Sequence, residues 1–307
     1  MTGVSATAGG PVPQVDASTG PAARGRRHRS GFWAATFAFL VVMAVATLPS
    51  PLYGLYRTRD HLSALTITVV FAIFAASTIA VLLRDSAIAA RIGRRGTMLA
   101  SVVTMMMAMG VLAVWKDLPG LLIGRVITGV SVGLAAGTAI TYLIELRLHA
   151  DPKASAARAQ IIGTSVTVGA LGIGPLVAGC LAQWVTQPLT VPYLVFAALG
   201  VIALAGLWAA PETGAPGPRA PVPRVAADAS PAGPRHPAGH PVPAAAGTLA
   251  AFAANGLFAG LSGLFLATTL HQPSHALSGV ALFLVFASGV ASQLATTRLP
   301  ASRVLAV

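Results

Sequence analysis

Residues 121–146 read LLIGRVITGVSVGLAAGTAITYLIEL. The run is uncharged throughout and mostly apolar, except for Arg125 near its start and Glu145 at its close. As a helix rising 1.5 Å per residue it is long enough to cross a hydrocarbon layer about 30 Å thick. From Arg125, steps of four land on Gly129, Gly133, Gly137, Thr141 and Glu145, which share one helix face. Small residues at that spacing let a neighbouring helix approach closely, as bundles in lipid require. An arginine inside such a span costs at least about 2.5–3.5 kcal/mol on insertion scales. It therefore faces a cavity, meets a partner, or snorkels back roughly 9 Å to the nearer surface.

Similar blocks recur outward from this one. Of 307 residues, 55% belong to the hydrophobic set and 9% are charged, and the mean hydropathy is +0.76. Soluble domains carry about 25% charged residues, so a soluble enzyme is excluded. Apolar runs predict eight spans, at residues 31–55, 65–83, 97–115, 121–146, 161–185, 193–210, 249–270 and 277–294. None alternates like a barrel strand, and backbone groups in lipid must be satisfied within their own segment. The predicted fold class is all-α, a polytopic membrane helix bundle. The single cysteine, Cys180, lies within a span and permits no intramolecular disulfide.

Charge sets the orientation. With a cytoplasmic N-terminus, 16 of the 20 lysines and arginines fall on inside segments and only Arg57, Arg59 and Lys116 outside, leaving Arg125 within a span. That asymmetry predicts a multi-pass protein of the cell membrane with its N-terminus in the cytoplasm. The net charge of +12 does not indicate nucleic acid, because the basic residues flank apolar blocks instead of forming a stripe with interleaved aromatics.

Residues 1–30, rich in Gly, Ala, Pro and Ser, are predicted to be a disordered cytoplasmic tail ending in Arg26-Arg27-His28-Arg29. Arg26-Arg27 ahead of an apolar run containing Ala44-Val45-Ala46 has the outline of a signal peptide. The run continues through Pro49 and Pro51 to Leu55 and seven more spans follow, which favours an uncleaved first helix. Residues 31–210 form the first unit, 211–247 a Pro-rich cytoplasmic linker and 248–307 a second, incomplete unit. His236 and His240 in the linker, and His271 and His275 around Pro273, predict no metal site.

Between the second and third spans stands Ser86-Ala87-Ile88-Ala89-Ala90-Arg91-Ile92-Gly93-Arg94-Arg95. It resembles the loop signature of the major facilitator superfamily, Gly-x-Leu-Ala-Asp-Arg-x-Gly-Arg-Arg. Arg91, Gly93, Arg94 and Arg95 match, whereas Ser86 and Ala90 replace the first glycine and the acidic residue. The resemblance implies a gating loop that latches two six-helix halves, residues 31–210 being the first. Glu145 lies about 30 Å along the helix from Arg125, too far to pair with it. It is expected to stand in for the anion missing at Ala90 by meeting Arg91 or Arg94, with Asp85 as the rival.

Arg125-x-x-x-Gly129 resembles the family's fourth-span motif, whose arginine is assigned to proton coupling. Gly169-Ala170-Leu171-Gly172-Ile173-Gly174-Pro175-Leu176-Val177-Ala178-Gly179 resembles Gly-x-x-x-Gly-Pro-x-x-Gly-Gly, the fifth-span motif of drug-proton antiporters, with Ala170 and Ala178 as small-residue departures. Proline frees a carbonyl one turn earlier, so a kink against a close neighbour is predicted. Gly174-Pro175 follows no strand, which sets aside a dinucleotide-binding loop. Pro211-Glu212-Thr213 also resembles the close of the family's first half.

The loop motif returns weakly at residues 297–303, where a second half would carry it, and the chain stops at Val307. A full member would need four more helices, so a truncated transporter is expected. Asn255, among Gly256, Gly260 and Gly263 in the seventh span, lines the pathway or bonds a neighbouring helix. The resemblance implies a permease for small molecules, with proton-coupled efflux expected. An uptake carrier, or a non-transporting membrane protein whose missing helices a partner supplies, is the alternative. The partners are the lipid bilayer, a small-molecule substrate and protons, with no nucleic acid and no obligate protein partner evident. No cofactor and no catalytic set is predicted, since the spans hold no Ser-His-Asp, paired-carboxylate or metal-spaced constellation.

Overall fold

Apolar blocks that must pair every backbone group internally come out as helices. A computed structural model describes residues 21–213 and 274–296, and the regular elements in them are all helical. They are α1 (Pro21–Ala44), a 3₁₀ turn (Ser50–Leu52), α2 (Tyr53–Asp60), α3 (Ala64–Leu82), α4 (Asp85–Val114), α5 (Leu118–Ala150), α6 (Ala156–Trp184), α7 (Val191–Ala209) and α8 (His275–Thr296). Six of these, α3 to α8, are long and apolar enough to cross a membrane. The all-α class is as expected. The seventh predicted span, Asn255 within it, and the linker beyond Thr213 lie outside the described residues.

Three boundaries differ from the expectation. The first span is not one helix: α1 ends at Ala44, turns occupy 45–49, and the chain re-forms helix only at Tyr53. Pro49 and Pro51 cannot donate to residues one turn earlier and their rings collide with that turn, so the helix cannot run through them. At the other end α1 starts at Pro21, so the tail expected to be disordered through residue 30 is helical from that point. The loop at 86–95 is helical too, and joins the third span across a bend at Gly93 (φ +74°, ψ 172°).

α5 is the central helix, packed on α1, α3, α4 and α6. A Cβ at Gly129 would strike Ser77 Oγ and the Phe74 carbonyl, one at Gly133 would lie 2.8 Å from Val81 Cβ, and one at Gly137 would strike Asp85. The glycine stripe is thus the seat of α3 and of the start of α4, and the backbones approach because nothing projects between them. α6 holds α8 in the same way: Gly179 faces the His275 carbonyl and Gly279, and Gly172 lies against Phe283 and Phe286. The four tryptophans are exposed and sit in pairs at opposite ends of the bundle. Trp33 and Trp208 lie at the Glu145 end, Trp115 and Trp184 at the other, the placement expected of the two membrane interfaces.

Candidate functional site

Arg125 is fully buried, which settles between the readings left open for it: it does not snorkel to the surface. Its Nη1 donates to the Ala46 carbonyl at 2.9 Å, and its guanidinium lies 4.3 Å from the Phe74 ring centre and 5.7 Å from that of Phe71. Both rings come from α3 and offer the cation their negative faces. Among the described residues Nε and Nη2 have no hydrogen-bond partner, nor has the buried Tyr53 hydroxyl, while the hydroxyls of Tyr56 and Tyr193 lie 3.2 Å apart. The arrangement is a fixed positive charge in a dry, aromatic-walled setting, with donors to spare. It can attract an acceptor and repel a cation at short range.

The Ala46 carbonyl is available only because the first span is broken there. The break is tied to two other helices: the Arg125 side chain of α5 donates to Ala46, and the break's own Thr47 Oγ1 donates to the Leu171 carbonyl of α6 at 2.7 Å. Gly174 completes the joint: a Cβ there would run into the Ala44 carbonyl, the last of α1. Gly174 therefore meets the end of α1, whereas the Pro175 carbonyl and Gly179 meet α8.

At the opposite end of α5 a second cluster forms around the bend at Gly93. Arg94 pairs with Glu145, and Glu145 Oε2 accepts from Thr213 Oγ1 at 2.7 Å. The amides of Arg94 and Arg95 donate to Glu212 Oε1 at 3.2 and 3.3 Å, which caps the helix restarting after Gly93. Arg95 reaches across to the Leu207 and Trp208 carbonyls at the end of α7, and the Tyr142 hydroxyl donates to the Pro211 carbonyl at 2.7 Å. Asp85, the rival partner, is buried against Thr138, whose hydroxyl donates to its Oδ1 at 2.8 Å. Arg91 is exposed and stands apart from Glu145's partners.

Arg94, Arg95 and Glu145 are thus brought together, whereas Arg125 is separated from them by most of α5. Sequence reasoning passed over Thr47, Tyr142 and Glu212. Glu212 was visible only as part of the segment closing α7; nothing local announces that it caps a helix starting more than a hundred residues earlier. His275 offers its amide to Gln183 Oε1 at 3.1 Å, and among the described residues no group of three or more His, Cys, Asp or Glu could hold a metal ion.

No curated protein matches this sequence. The family model described as Major Facilitator Superfamily matches residues 35–306, most of the chain and all the helices that build both clusters, and the chain accordingly belongs to that superfamily of membrane transporters.

Proposed function

We propose that this permease exports small amphipathic molecules in exchange for protons, in the cell membrane, with its N-terminus on the cytoplasmic side. The observation that carries the reading is the fully buried Arg125, which donates from Nη1 to a broken stretch of the first span while Nε and Nη2 have no hydrogen-bond partner among the described residues. Arginine stays charged at every accessible pH. Its part is therefore electrostatic: it draws an acceptor toward its open donors and lowers the affinity of the same region for a proton or a cationic substrate. An acceptor that competes with the Ala46 carbonyl loosens the break, and a broken span held by side chains is the kind of element that has two arrangements.

The Glu145 cluster supports the same reading from the other end, because it joins α4, α5, the end of α7 and residues 211–213 into one unit that can move as a body. The Pro175 motif favours an antiporter, and the distribution of Lys and Arg favours the stated orientation.

The test uses the full chain in liposomes with an imposed pH gradient and an uncharged amphipathic dye. Gradient-driven dye movement, abolished by a protonophore and lost in Arg125→Ala and Arg125→Lys, is the expected result. Lysine should fail because it lacks the planar fork. Dye movement insensitive to the protonophore would overturn proton coupling, movement only with the uptake orientation would overturn efflux, and vesicles matching empty ones would overturn autonomous transport.

A further inference from the structure

α1 begins well before its apolar part, and these first turns run beside the last turn of α5. Between them lies a cleft of about 390 Å³ lined by Gly25, Arg26, Arg29, Arg147, Ala150 and Asp151. Arg26 and Arg29, three apart, present neighbouring side chains on α1, and Arg147 enters from the facing helix. The stacked rings of His28 and His149, 5.4 Å apart and 12° from parallel, hold the two helices together beside the cleft. The Arg147 guanidinium is braced 5.8 Å from the Phe32 ring centre.

Three arginines and one carboxylate line the cleft, so it is net positive. Among the described residues none of the three arginines forms an ion pair, and Asp151 Oδ1 already accepts from the Lys153 amide at 3.0 Å. Gathering like charges costs energy that a bound anion relieves, and guanidiniums match phosphate oxygens in geometry as well as charge. The depth is equally informative. Trp33, one turn beyond Arg29, is 56% exposed, and Trp208 at the same end is 71% exposed, which marks the headgroup level of the bilayer.

We propose that this cleft is a phosphate-binding site in which Arg26, Arg29 and Arg147 hold the phosphate oxygens, and its depth favours an anionic phospholipid headgroup over a soluble phosphate. The site is separate from Arg125 and independent of what is transported.

The experiment places the full chain in nanodiscs of phosphatidylcholine with phosphatidylglycerol and counts retained lipids by native mass spectrometry after release into detergent. Arg26→Gln/Arg29→Gln should retain severalfold less phosphatidylglycerol than the wild type, and Lys153→Gln/Arg158→Gln, with the same loss of charge outside the cleft, should retain as much. Arg147→Gln serves as a second variant should the pair fold poorly. Retention that resists millimolar inorganic phosphate assigns the site to lipid, and displacement by it assigns the site to a soluble phosphate; both support phosphate recognition. Equal retention by wild type and the cleft variants, or an equal drop in the control pair, overturns it.

Discussion

Thr47 donates its hydroxyl to the Leu171 carbonyl at 2.7 Å, and Leu171 is the residue four before Pro175, whose missing N–H leaves that carbonyl without a helical donor. The break at 45–49 in one span therefore supplies the donor that the proline inside α6 removes in another. In lipid, where water cannot reach an orphaned carbonyl, this is how a proline inside a span becomes tolerable.

Removing the hydroxyl should expose the cost. Thr47→Val keeps the shape and leaves the Leu171 carbonyl unpaired, a loss of about 1–3 kcal/mol. Pro175→Ala restores the N–H, so in that background Thr47→Val should cost much less. Thermal unfolding of the four proteins in detergent measures the coupling. Strict additivity of the two changes would contradict the joint described here.

The bend at Gly93 makes a sharper demand. With φ +74° and ψ 172° the residue lies beyond the left-handed helical region, in backbone space that is essentially restricted to glycine. A Cβ would also come within 3.0 Å of Glu212 Oε2. Gly93→Ala should cost on the order of 1–3 kcal/mol. Gly93→Asn should fare no better, since the asparagine allowance covers the left-handed helix and not this region. An asparagine variant as stable as the wild type in a thermal melt would show that the bend relaxes.

Much of this was legible in advance, for reasons that differ from residue to residue. Span length and composition mark α3 to α8 because lipid leaves the chain no other way to satisfy its backbone. The meeting of Arg94 with Glu145 could be anticipated because a carboxylate at the end of one span and arginines at the start of another share a depth. The break in the first span was signalled by Pro49 and Pro51 and yet read as continuous helix, since the apolar run does not pause there. That residues 21–30 are helical had no signal in their polar, arginine-rich sequence, which shows no apolar periodicity. The segment is held by contacts with α5 that only the tertiary structure supplies, among them the His28–His149 stack.

Glu145 and Arg94 should behave as a unit. Their side chains are 26% and 11% exposed, so removing either one takes an opposite charge away from a largely desolvated one. Glu145→Gln and Arg94→Gln should each lower stability by about 1–3 kcal/mol, and the double variant should lose less than the two together. A transport assay adds a second readout: if the cluster carries alternation between access states, Glu145→Gln should slow dye movement without abolishing insertion. Normal transport by a well-expressed Glu145→Gln protein would leave the cluster a purely structural role.

The glycines separate by what stands opposite them. A Cβ at Gly174 would collide with the Ala44 carbonyl, a backbone group at the very end of α1, which cannot swing aside as a side chain can. Gly174→Ala should therefore force the α1 and α6 backbones apart, at about 1–3 kcal/mol, and by moving the break it should also disturb the Arg125 contact with Ala46. Gly110, in the last turns of α4, has nothing within 4 Å of the same hypothetical carbon among the described residues. There the added methyl only reduces the freedom of the unfolded chain, so Gly110→Ala should leave stability unchanged or raise it by roughly 0.4–1 kcal/mol. Melting temperatures measured side by side decide the matter. A Gly174→Ala protein that melts with Gly110→Ala would mean that the two helices are not in the close contact on which the coupling of Arg125 to α6 depends.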